Sequence, residues 1–205
     1  MTRQLLYILT LLTFVACQNN NTEDHLTKLE EFIIETDSLT SNSKTFDQIA
    51  NQIQNKRPEL KQDEVLLFNK DTNGLLKEQR FRFYFDTTGK YNNLYNSIKI
   101  KEYASDRQAA EAFWGIIKFH ACCIPDEDIV KLLNFENLDH FKNSASTTLL
   151  TDNIIIELGL MNSPKDNKEI SDFLDIILKD RKYLKLEIGN GGPAIWTRKQ
   201  ENNAL

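Results

Sequence analysis

The chain has 205 residues, of which 40% are apolar and 27% charged, and it carries a formal net charge of −5 at neutral pH. That length matches one domain able to bury its own core without disulfide staples. An acidic balance with no basic cluster excludes nucleic acid and anionic lipid surfaces as expected partners, because both are held by Lys and Arg neutralising phosphate.

The first element is "MTRQLLYILTLLTFVAC": a positive charge at Arg3, a nearly unbroken apolar run from Leu5 to Val15, then small Ala16 before Cys17. The run is too short to cross ~30 Å of hydrocarbon, which takes ~20 helical residues, but it suits the core of a signal peptide. "FVAC" resembles the lipobox of bacterial lipoproteins, departing from the usual pattern at Phe14, where a branched aliphatic residue is the norm. The resemblance covers residues 1–17 alone. It implies that residues 1–16 are removed and that Cys17 becomes the first residue, carrying a diacylglycerol on its sulfur and often a further acyl chain, palmitate-like, on its amine. Two or more acyl chains anchor a protein stably, so the expected address is a bacterial membrane of the cell envelope, and the outer one where an outer membrane exists, since Gln18 is not the Asp of inner-membrane retention.

Residues 17–23, "CQNNNTE", offer nothing to bury after the cysteine and read as a flexible leash. The folded domain is expected over 24–205, with no Gly- or Pro-rich linker to divide it. "DHLTKLEEFIIETDSL" and "TFDQIANQIQNK" place apolar residues at helical spacing, the second through Phe46, Ile49 and Ile53, with Pro58 closing the segment. The period then changes to two. Phe81, Phe83 and Phe85 alternate with Arg80, Arg82 and Tyr84, and Ile98 and Ile100 alternate with Lys99 and Lys101, which predicts an antiparallel pair with one apolar face. Arg80, Arg82, Lys99 and Lys101 then form a basic stripe, read as the solvated face.

"SDRQAAEAFWGIIKFH" is the clearest helix: Ser105 and Gln108 fit a capping box, and Ala109, Ala112, Phe113, Ile116, Ile117 and His120 share a face. "DEDIVKLL" reads as a short helix whose Asp126, Glu127 and Asp128 suit its N-terminus better than a catalytic pair. "STTLLTDNIIIELGL" predicts two strands turning at Asp152 and Asn153, "KEISDFLDIILK" an amphipathic helix and "YLKLEIG" a strand. The expected class is α+β: an antiparallel sheet with helices packed on one face, N-terminal helices, and a repeated strand-strand-helix unit.

No GxSxG, HExxH, P-loop, GxGxxG or EF-hand loop occurs, so nothing marks the chain as a common hydrolase, metalloprotease or nucleotide binder. The glycines at 189, 191 and 192 precede Pro193 and no helix, which makes them a turn and not a phosphate cradle. "HACCIPDED" is the one cluster with chemistry. His120, Cys122 and Cys123 could end the helix as core residues, form a vicinal disulfide in an oxidising compartment, or offer one nitrogen and two sulfurs to a soft metal such as copper(I) or zinc. A fourth ligand is not evident beyond His140 or Asp126. His25 lies beside the leash. Trp114, off the main stripe of its helix, and Trp196 are candidates for a binding surface with Phe119, Tyr91 and Tyr95, or for a second packing face.

Two functions follow as expectations. One is a non-catalytic binding or assembly module of the envelope, held to the membrane by lipid, needing no cofactor, with an envelope protein or a small ligand as partner. The other is a redox or metal-handling lipoprotein acting through His120, Cys122 and Cys123.

Overall fold

A computed structural model describes residues 45–68, 73–83, 96–121, 125–141, 146–159, 172–189 and 191–199. In chain order these form α1 (Thr45–Lys56), β1 (Lys61–Gln62), β2 (Leu66–Leu67), β3 (Leu75–Phe83), β4 (Asn96–Tyr103), α2 (Asp106–Ala121), α3 (Asp126–Leu133), β5 (Ser146–Thr151), β6 (Ile154–Gly159), a helix α4 over 172–177, β7 (Tyr183–Ile188) and β8 (Ala194–Lys199). The fold is α+β. All eight strands join one antiparallel sheet in the order β1-β3-β4-β6-β5-β7-β8, with β2 also paired to β3.

Local sequence accounts for most of these elements. The α1 helix buries Phe46, Ile49 and Ile53 completely. The α2 helix starts as its capping box requires, the Gln108 amide donating to Ser105 Oγ at 3.2 Å. Strands β5 and β6 turn through Asp152, whose φ of 48° is left-handed, and Asn153, whose side-chain amide donates to the Tyr103 carbonyl at 2.6 Å. The glycines after β7 lead into β8, a strand that the period-two pattern does not reveal because Thr197, Arg198 and Lys199 follow Trp196. The first of the N-terminal helices expected from sequence lies outside the described residues.

The helices do not share one face. One apolar cluster packs Ala109, Phe113, Trp114 and Ile117 of α2 and Leu132 of α3 on Leu150, Ile155, Leu184 and Leu186. Another packs Phe46, Ile49 and Ile53 of α1 and Leu174 and Ile177 of α4 on Phe81, Ile98, Leu149, Ile154 and Ile156. Neighbours such as Leu149 and Leu150 point to opposite sides of a strand, so the sheet is a middle layer covered from both sides. Handedness explains why. Each of β4 and β5 pairs antiparallel with β6, so β4 and β5 are parallel; by the same logic β6 and β7 are parallel through β5. Both connections step the same way along the sheet but start from strands of opposite direction, and crossovers share one hand. A shared hand then sends α2 over one face and α4 over the other. In chain order, β3, β4, α2 and α3 are followed by β5, β6 and α4.

Candidate functional site

On the α2 side of the sheet, the helix lies over β4, β5 and β6 and leaves a cleft of about 530 Å³ along one flank. The wall comes from one flank of α2: Ala112, Gly115, Ile116, Phe119 and His120. The floor comes from sheet positions that face α2, namely Ser97 and Lys99 of β4, Glu157 of β6, and Ser146 and Thr148 of β5. Pairing brings them together: Lys99, Glu157 and Thr148 stand opposite one another across three strands, and Ser97 and Ser146 flank Gly159 in the next row.

Electrostatics on this floor are uneven. Lys101 Nζ donates to Glu157 Oε1 at 2.6 Å, while Lys99 Nζ lies 3.7 Å from Oε2 of the same carboxylate. One acid thus serves two ammonium groups. The rest of the predicted basic stripe is partnered too, Arg80 with Glu78 at 3.5 Å and Arg82 with Asp63 through a two-pronged contact whose Nε bond is 2.8 Å. Burial holds the His120 imidazole below the ordinary histidine value, partly opposed by the charge of Glu157. Its ring meets that of Phe119 edge-on, with centroids 6.0 Å apart. Ser146 Oγ is buried with no hydrogen-bond partner among the described residues.

The cleft contains some of the side chains anticipated from sequence and omits others. His120 lies in it, in the last turn of α2; Cys122 and Cys123 come after Ala121 and lie outside the described residues, as do Cys17, Tyr91 and Tyr95. His140 is exposed. Among the described residues no three His, Cys, Asp or Glu side chains group closely enough to hold a metal ion. Trp114 is only 2% exposed and packs 6.4 Å from the ring of Phe135, and Trp196 stands 5.0 Å from that same ring and 6.1 Å from Phe113. Both tryptophans therefore belong to the apolar layer under α2, and Trp114 offers no surface. It lies off the sheet-facing stripe because α2 packs on two sides, against the sheet and against the segment that follows α3. Phe119, in contrast, is 76% exposed.

Ser97, Ser146, Thr148 and Glu157 carry no signal of their own in the sequence, since each is one polar residue in an alternating strand. Gly115 does: a glycine in the middle of a strong helix costs about 1 kcal/mol relative to alanine. A Cβ placed there meets nothing within 4 Å, because the position opens on the cleft. No family model, curated protein or solved structure matches the chain.

Proposed function

We propose that this protein is a membrane-anchored lipoprotein of the cell envelope whose domain acts as a non-catalytic binding module, with the cleft beside α2 as its binding site. The observation that carries this reading is the make-up of the cleft: an apolar wall facing a floor of a few convergent polar groups, within the size range of small-molecule sites. The anchor rests on the resemblance of residues 1–17 to lipoprotein signals and on the leash behind them.

The test is the mass of the protein extracted from membranes, taken natively and again after denaturation. The expected result is a chain beginning at acylated Cys17 that carries a small non-covalent mass, lost on denaturation and absent when Gly115 is replaced by Trp to fill the cleft. A chain that begins elsewhere without acyl groups sinks the anchor; a native mass equal to the denatured mass sinks the binding site.

A second reading is the redox or metal function through His120, Cys122 and Cys123. It is favoured by the burial that keeps His120 neutral, the form in which imidazole binds metals. The same measurement separates the two, because a Cys122→Ser, Cys123→Ser chain retains its small-molecule mass under the first reading. Under the second, the wild-type chain shows either a bound metal or a two-proton gain on reduction.

A further inference from the structure

We infer that the α2 cleft takes an amphipathic carboxylate, a molecule with one anionic oxygen head and an aliphatic tail. The inference deepens the binding-module reading and rests on it. The head is assigned by charge and hydrogen-bond capacity. Among the described residues at the β3 side of the floor, Arg80, Lys99 and Lys101 stand beside two carboxylates, Glu78 and Glu157, of which Lys99 and Glu157 line the cleft itself. Each oxygen of Glu157 faces a lysine, Lys101 at 2.6 Å and Lys99 at 3.7 Å, which leaves Lys99 the more weakly held ammonium and the surplus charge positive. A ligand cation would find Glu157 already engaged; a ligand anion finds Lys99.

Ser146 supplies the second contact. Its hydroxyl is buried in the cleft with no partner among the described residues, an arrangement that costs free energy until something accepts its proton. Ser146 stands two strands across and two residues along from Lys99, about 12 Å away at the usual ~4.8 Å per strand and ~3.4 Å per residue, a gap that a lysine stem and one carboxylate close. A carboxylate, with two oxygens that only accept, can take Lys99 and Ser146 together. The tail is assigned by the wall. Ile116 and the exposed ring of Phe119 give apolar area above the head site, and Gly115 keeps the space between them empty.

The experiment is equilibrium dialysis of labelled octanoate against the full chain in lipid nanodiscs, with empty nanodiscs subtracting partition into lipid. Octanamide, which has the same tail without the charge, and acetate, which has the head without the tail, are run beside it. We expect one saturable octanoate per chain and binding at least tenfold weaker for each comparison molecule. Lys99→Met is expected to weaken octanoate at least tenfold and to erase its advantage over octanamide, with Lys99→Arg restoring most of it; Phe119→Ser weakens octanoate and leaves acetate unchanged. Unfolding curves confirm that each variant is folded, and Ser146→Ala serves as a second head-site variant should Lys99→Met fail to fold. Octanamide binding as tightly as octanoate, in a manner blocked by Gly115→Trp, overturns the carboxylate and keeps the cleft as a binding site. Absence of saturable binding by any of the three overturns the inference, and the mass measurement above then decides the binding-module reading separately.

Discussion

Lys185 of β7 is held by both oxygens of Asp175 in α4, at 2.8 and 2.9 Å, with its side chain only 3% exposed. Tyr183 donates its hydroxyl to the same carboxylate at 2.6 Å, and burial together with that bond pushes the phenol well above its ordinary value. The pair is where α4 is fastened to the sheet, and its two halves are not equivalent. Asp175→Ala takes both carboxylate contacts away from a buried ammonium that also lies 3.3 Å from Glu187, and should cost roughly 3 kcal/mol, at the low end of what breaking a buried pair costs. Lys185→Met removes the buried charge itself and should cost clearly less. A combined Lys185→Met, Asp175→Leu chain should recover much of the loss, as read from denaturant midpoints.

Two glycines should respond in opposite directions to the same change. Gly115→Ala meets no atom within 4 Å and removes a helix-interior glycine, so stability should rise by about 0.5–1 kcal/mol. Gly74 sits at φ +79°, and a Cβ there would collide with the Gln108 side chain. Gly74→Ala should lower stability by about 1–2 kcal/mol through the left-handed backbone alone. It should also loosen the start of α2, since Gln108 completes the cap with Ser105. Thermal unfolding of the two variants side by side checks both signs.

Removal of that cap is a separate test. Ser105→Ala leaves the Gln108 amide without its acceptor and should cost about 1 kcal/mol, whereas Ser105→Asp should cost little because its carboxylate can accept the same bond. Equal losses in both variants, measured by chemical denaturation, would show that the hydroxyl contributes nothing as a cap.

Acidification should weaken the fold through His120. Its native value lies below the ordinary 6.5 because burial penalises the charged ring, so the unfolded chain takes up this proton first. Stability should therefore begin to fall as the pH drops past about 6.5 and continue to fall until the native imidazole is itself protonated. His120→Asn should flatten this part of the profile, and unchanged slopes between pH 7 and 5 would refute the assignment.

Much of the fold can be read from residue order. Alternating apolar residues locate β3, β4 and β7; Ser105 and Gln108 mark the start of α2; Asp152 and Asn153 mark the β5–β6 turn. Even the two-sided sheet is present as a sign in Leu149–Leu150 and Ile154–Ile156, where consecutive apolar residues must face opposite layers. The expectation of one helical face arises because periodicity describes one element at a time and carries no information on which way a crossover turns.

What the sequence determines by itself is local: which face of each helix or strand is apolar, where each element begins, and, at Cys17, a resemblance to an anchoring signal. Only tertiary structure decides which strands are neighbours, because pairing in the order β4-β6-β5-β7 depends on the hand of two crossovers and on burying both faces at once. That order sets Lys99, Glu157 and Thr148 in one row, puts Ser146 two positions along, and leaves α2 to one side with Gly115 over the gap. It also places Trp114 inside, against Phe135, and so decides for a second packing face where its position on the helix alone leaves a packing face and a binding surface both open. Polar side chains from separate strands converge on a cleft only through pairing, and a single strand's pattern cannot encode its neighbours.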